Sequence, residues 1–396
     1  MHTSPTSPQT TRKRRSGRLL VLSALSAGVL LAACSSSSSS STTTTSGGSS
    51  TTTAADPYLA ADLNAPAASL NGAGSTFVQP FFKAAFNAYE AKNQNVQINY
   101  QGVGSGAGVT AFQQGTVNFA ASDVPMGTAD LAKVPAASGP VVQVPDILGG
   151  VAVAYNVTGV KTGLKLDAVT LAGIFDGTIK NWNASQIVAL NPGVTLPSAA
   201  IVPEVRSDGS GTTYIFSDYL TTAAGSSWAL GKGKTIAWPP SAEATKGNAG
   251  VAQSISTTPD SIGYIELGYA IQNHFTYAAV KNQAGLYVVP TLASVAADAA
   301  QKGPVTPTDF SIVYQPGAAS YPIAGYSWAI LLQKQTNQTA GSATVKVLDW
   351  TTHTGGGQDL AASLDYVALP PSVQSYVRTQ LLTVTGPNGQ ALLTKS

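Results

Sequence analysis

Apolar positions follow two alternating periods along most of this chain. Phe77, Phe81, Phe82, Ala85, Phe86 and Tyr89 recur at i, i+4 and i+5 spacing, which predicts an amphipathic helix over 77–92. Val96 to Gln101 alternates in twos and predicts a half-buried strand. A Gly-rich turn at Ser105 opens a short helix ending near Gly115, and 117–122 reads as a strand that runs out at Asp123. The apolar run Ile147 to Tyr155 holds Gly149-Gly150 and reads as a crossover. Residues 201–206 predict a strand, followed by a second Gly-rich turn and a helix over roughly 211–220. A strand at 327–333 and helices at 342–352 and 371–383 complete the pattern. Strand–helix alternation predicts α/β layers with mostly parallel sheets. Residues 231–250 and 281–307 read as loops, and no internal repeat stands out.

The first 55 residues do not share this pattern. Residues 12–18 are basic, and Leu19 to Ala33 are apolar or small. That run is short of the ~20 apolar residues a membrane-spanning helix needs, so it reads as an export signal. It ends Leu31-Ala32-Ala33-Cys34, a small-residue cleavage site followed by the only cysteine of the chain. This resembles the lipobox of bacterial lipoproteins, which implies a signal peptide over 1–33 and a lipid on Cys34. The Ser/Thr-rich stretch that follows is too polar to build a core and reads as a flexible tether over 34–66.

Composition narrows the function. The chain has 396 residues, enough for two domains, and 43% are hydrophobic. Only 10% are charged, with a formal net charge of +2. Arg12, Lys13, Arg14, Arg15 and Arg18 belong to the signal, and removing them leaves 16 basic against 19 acidic residues. Such a balance argues against a nucleic-acid partner. One cysteine allows no intrachain disulfide, and three scattered histidines offer no metal site of the usual kind.

Three segments combine small residues with Ser or Thr at an expected helix start. They are Gly74-Ser75-Thr76-Phe77, Gly104-Ser105-Gly106 and Gly209-Ser210-Gly211-Thr212. Each is readable as an ordinary N-cap with a turn glycine. Three together, with Arg206 adjoining the last, describe an oxyanion cradle of helix N-termini and one guanidinium. Asp208 is placed to hold that guanidinium. Asp123 would repel an anion unless the ligand carries a proton, because an ionised carboxylate only accepts hydrogen bonds. Phosphate carries one near neutral pH and sulfate does not, so Asp123 would select for phosphate.

At these residues the chain resembles the phosphate-binding proteins of bacterial high-affinity phosphate importers, the PstS family. The resemblance rests on segments 72–77, 100–105, 121–123, 177–182, 191–193, 206–212, 263–266 and 364–370, which run in the family's order. It implies a two-lobed type II periplasmic-binding-protein-like fold, with a ligand cleft between two α/β domains joined by two crossovers. Lobe I would comprise 67–150 and 325–396, and lobe II 151–324. Phosphate would be held by Thr76, Phe77, Ser105, Asp123, Arg206, Ser210, Gly211 and Thr212, with Asp208 orienting Arg206. Gly106 stands where some relatives have a serine, and 231–250 and 281–320 match poorly. The resemblance further implies an extracytoplasmic, lipid-anchored monomer that hands phosphate to membrane permease subunits, with no cofactor and no metal.

A binding protein for another oxyanion is the alternative. A phosphatase-like hydrolase has less support. Gly-x-Ser-x-Gly is broken by Val103 and by Asp208, and only His274 and His353 remain after the signal. Gly233-Lys234-Thr235 lacks the earlier glycine of a nucleotide-binding loop, since that position is Trp228.

Overall fold

A computed structural model describes residues 64–394. The signal segment 1–33, Cys34 and the tether up to residue 63 lie outside the described residues.

The first part of the chain runs β1 (Ala68–Gly74), α1 (Gln79–Lys92), β2 (Val96–Gly102), α2 (Ser105–Gln113), β3 (Phe119–Ser122), α3 (Thr128–Leu131) and β4 (Val141–Asn156). All the apolar residues predicted to line α1 are buried, but the helix starts at Gln79. The reason is local: the Ser75 hydroxyl accepts the Phe77 N–H at 2.9 Å and holds 75–77 in a turn. Pro80 then suits the first helical turn, where its missing N–H costs nothing.

The middle part contains β5 (Lys165–Leu166), α4 (Ala168–Phe175), α5 (Ser185–Leu190), β6 (Val202–Arg206), α6 (Gly211–Ala224), β7 (Glu243–Thr245), α7 (Gly247–Thr257), β8 (Ser261–Glu266) and α8 (Leu267–Gln272). It continues through β9 (Thr276–Tyr277), β10 (Ala279–Lys281), β11 (Tyr287–Val288) and α9 (Leu292–Ala299). The stretches expected to be loops therefore hold β7, the start of α7, β11 and α9. Neither helix could be found by periodicity, since α7 reads GNAGVAQSIST, with few apolar residues, and α9 spans only two turns. The last part contains β12 (Ala324–Leu332), α10 (Gln338–Thr351) and α11 (Pro371–Leu381). α10 begins four residues before the expected start, because Asn337 caps it by accepting the Ala340 N–H.

The main sheet follows the order β2-β1-β3-β12-β4-β8-β6-β7, with β9 also on β4. Pairs β1–β2, β1–β3, β6–β7 and β6–β8 are parallel, while β12 is antiparallel to β3 and β4, and β4 to β8. The sheet is thus mixed, where mostly parallel pairing was expected. β4 and β12 run against the parallel strands on either side. β4 serves both halves: Val141 to Gly150 pair with β12, and Val151 to Asn156 pair with β8. It is covered on both faces, which explains its largely apolar sequence, broken in the interior only by the buried Gln143 and Asp146.

Aromatic rings fix the layers. In the first half Phe82 stacks on Phe86 at 4.7 Å, and Tyr100 and Phe119 pack beside them. In the second half Phe216 stacks on Tyr264 at 4.6 Å. Such pairs contribute about 0.5–1.5 kcal/mol each beyond their burial. Tyr264 also reaches the site, since its hydroxyl accepts the Arg206 N–H at 3.2 Å.

Candidate functional site

The carboxyl ends of β1, β3 and β6 and the N-termini of α2, α6 and α7 meet at one place, joined by hydrogen bonds of Thr76, Ser105, Asp123, Gly211, Thr212 and Asn248. Thr76, Phe77, Ser105, Asp123, Arg206, Ser210, Gly211 and Thr212 are all buried there.

Arg206 ends β6, and its guanidinium is gripped by Asp208. Nε lies 2.8 Å from Oδ1 and Nη2 2.6 Å from Oδ2, a two-point fork that fixes the plane of the cation. Asp208 Oδ1 also accepts the Gly247 N–H at 3.0 Å. Burial alone would raise the Asp208 pKa, but the Arg206 hydrogen bonds and charge outweigh it and hold the carboxyl below its usual range. Gly104 makes this packing feasible. With φ of 96° it takes a left-handed conformation, and a Cβ there would stand 2.1 Å from Asp208 Oδ2.

Asp123 follows β3 and is only 2% exposed. Burial pushes its carboxyl up to about 7, against the downward pull of Ser75, the Arg206 charge, Ser327 and Ser105. Neither oxygen makes a well-formed hydrogen bond to these hydroxyls, although all three serines lie close by. The carboxyl abuts the α6 N-terminus, because a Cβ on Gly211 would fall 2.4 Å from Asp123 Oδ2.

Ser105 opens α2, and its hydroxyl accepts the N–H of Gly211 at 3.1 Å and of Asp123 at 3.3 Å. Ser210 is the N-cap of α6 and accepts the Thr213 N–H. Thr212 Oγ1 stands 3.4 Å from Arg206 Nη1. Two of the three predicted helix-start cradles are therefore present. The third is not, since Thr76 and Phe77 lie in a turn before α1, whose N-cap is Val78. Phe77 turns its ring into the core against Tyr366 and leaves its backbone at the site.

The residue that sequence reasoning missed is Asn248, at the start of α7. Its N–H and Nδ2 donate to Thr76 Oγ1 at 3.1 and 3.0 Å, Nδ2 also reaches Thr212 Oγ1 at 3.2 Å, and Oδ1 accepts the Glu266 N–H. It ties the Thr76 turn to α6. Its only signal in the sequence is a Gly-Asn pair in a stretch without apolar rhythm. Among the described residues, no cluster of His, Cys, Asp and Glu is arranged to hold a metal ion. Donors from a guanidinium, hydroxyls and helix-start N–H groups thus surround one buried acceptor, Asp123. That set suits a tetrahedral oxyanion carrying a hydrogen.

Two α/β halves that share β4 and enclose such a site define a solute-binding protein, and residues 35–353 match the family described as the PBP superfamily domain. The chain is 38% identical to the "Phosphate-binding protein PstS" of Xylella fastidiosa strain 9a5c, over 77% of this chain and 82% of that one. With the Haemophilus influenzae protein of the same name it shares 36% identity, over 81% of this chain and 94% of the relative. The chain belongs to the PstS family of phosphate-binding proteins. The same fold occurs in a phosphate-binding protein from Stenotrophomonas maltophilia, with TM-score 0.66 and 20% identity over 79% of this chain and 93% of that chain. A high affinity periplasmic phosphate-binding protein bound with phosphate also has it, with TM-score 0.66 and 23% identity over the same shares.

Proposed function

We propose that this protein captures inorganic phosphate, as HPO4 or H2PO4, outside the cytoplasm and delivers it to the permease of an ABC importer. The observation that carries the reading is Arg206, forked by Asp208, set against the buried acceptor Asp123. Thr76, Phe77, Ser105, Ser210, Gly211 and Thr212 complete the ligand shell. Lobe I comprises 67–150 and 325–396 and lobe II 151–324, so ligand bridges the lobes and stabilises their closed arrangement by its differential affinity. The relatives of Xylella fastidiosa and Haemophilus influenzae are phosphate-binding proteins by name, which supports phosphate as the ligand. The protein acts by binding and release, without covalent chemistry. Ser105 and Ser210 spend their hydroxyls on backbone N–H groups, and His353 bonds to carbonyl oxygens of Asp349 and Gln374, between α10 and α11.

Cleavage before Cys34 and lipidation of its sulfur would anchor a monomer to the membrane through the 34–66 tether. Among the described residues no helix is long and apolar enough to cross a membrane.

Calorimetric titration of the purified, phosphate-stripped protein with phosphate and with sulfate tests the reading. Strong preference for phosphate is expected, and equal binding of the two anions would defeat it.

A further inference from the structure

A second buried carboxyl lies behind Asp123. β4 pairs with β12 from Val141–Leu332 to Pro145–Trp328, and pairing resumes at Ile147–Ser327. Asp146 falls between without a partner and is therefore the extra residue of a β-bulge, a device that re-aims a side chain. It is fully buried. Oδ1 has no hydrogen-bond partner, and Oδ2 lies 3.4 Å from the Ser327 hydroxyl. Ser327 stands between the two acids. β12 pairs Trp328 with Ser122, so the same antiparallel register carried one residue further sets Ser327 beside Asp123.

Two buried carboxyls that feel each other's charge do not both ionise readily. Their surroundings decide which keeps the proton. Ser75, Arg206, Ser327 and Ser105 all favour an ionised Asp123. Asp146 is raised by burial and by the charge of Asp123, against Ser327 and backbone groups alone among its hydrogen-bond partners. The proton therefore rests on Asp146. In the structure the Ser327 hydroxyl is directed at Asp146 Oδ2 and neither Asp123 oxygen has a partner; with the proton on Asp146, a turn of that hydroxyl lets it accept from Asp146 and donate to Asp123, so each group is used once.

We propose that Asp146 is a positioning residue for anion selectivity: its carboxyl O–H, relayed by Ser327, holds Asp123 ionised and aimed as an acceptor for the hydrogen of the ligand. The inference rests on the phosphate reading of Asp123.

The test compares phosphate and sulfate affinities of wild type, Asp146→Asn, Asp146→Leu, Ser327→Ala and the Asp146→Leu/Ser327→Ala double variant, with thermal melts to verify folding. Asn keeps a donor toward Ser327 and should retain most of the preference. Leu and Ala should each narrow the phosphate-to-sulfate ratio by about tenfold, the scale of one hydrogen bond to a charged group. The double variant should lose no more than either single one, because both break the same relay. An unchanged ratio in folded Asp146→Leu, additive losses in the double variant, or Asn as damaging as Leu would each overturn the proposal. If Asp146→Leu does not fold, Ser327→Ala decides, and an unchanged ratio there overturns it. Wild type without any preference would overturn the phosphate reading and this inference together. Wild-type preference that survives in Asp146→Leu overturns the role of Asp146 alone.

Discussion

The Ser105 hydroxyl accepts the backbone N–H of Gly211 at 3.1 Å, joining residues 106 positions apart in the chain. The same oxygen lies 3.3 Å from the Asp123 N–H. One side chain thus links the α2 start, the end of β3 and the α6 start.

Ser105→Ala leaves these two buried N–H groups without their acceptor. Each orphaned donor costs about 1–3 kcal/mol. That cost should appear in denaturant unfolding of the phosphate-free variant; the Ser105 O–H also donates to the ligand in this reading, and since a hydrogen bond to a charged group is worth about 1.5–3 kcal/mol, phosphate affinity in calorimetry should fall at least ~10-fold. Unchanged affinity would remove Ser105 from the ligand shell.

Asp123 makes the protein sensitive to pH in a definite direction. Its ordinary pKa is 3.8 and its folded value about 7. The folded state keeps a proton that the unfolded chain gives up, so this stabilising contribution is complete below about pH 4 and is lost as pH rises toward 7. Asp123→Asn removes that slope. Without phosphate the variant should melt above wild type at pH 8, and the gap should close toward pH 4. Protonated Asp123 also donates, so the sulfate affinity of wild type should rise by up to about tenfold per unit as pH drops below 7. Melting curves and sulfate titrations across pH check both.

Lys234 Nζ lies 2.7 Å from Asp130 Oδ2, joining α3 of the first half to the segment after α6. The Lys234 carbonyl also accepts the Ser210 N–H at 2.8 Å. Both side chains are 24% exposed, so the pair is worth no more than about 1 kcal/mol and is screened by salt. Lys234→Ala should speed phosphate release about two- to fivefold at low ionic strength. The difference should vanish near 1 M salt, where the Debye length is about 3 Å. Stopped-flow release at the two salt levels measures it.

Cys34→Ala removes the acceptor of the proposed lipid. The variant should leave the membrane fraction for the soluble one while keeping phosphate affinity. Membrane retention of Cys34→Ala would end the anchoring claim.

How much of this was legible in the sequence depended on distance along the chain. α1, β2, α2 and the β6–α6 pair follow local periodicity, and the structure moves their ends by a few residues. The Arg206–Asp208 fork was legible because its partners are two residues apart. The turn at Thr76 was misread as a helix start, since Ser75 competes for the Phe77 N–H in a way that composition does not reveal.

The α/β class, the separation of an N-terminal segment unlike the rest, and the residue types able to hold a hydrogen-bearing oxyanion are readable along the chain. These follow from side-chain period, charge and hydrogen-bonding capacity, all of which are local. That β12 and β4 run antiparallel at the centre of the sheet, and that Asn248 reaches Thr76 across 172 positions, follows from the folded arrangement. It alone set a bulged Asp146 behind Asp123, through Ser327. Such contacts depend on how distant strands pair and close, and no local pattern encodes that register.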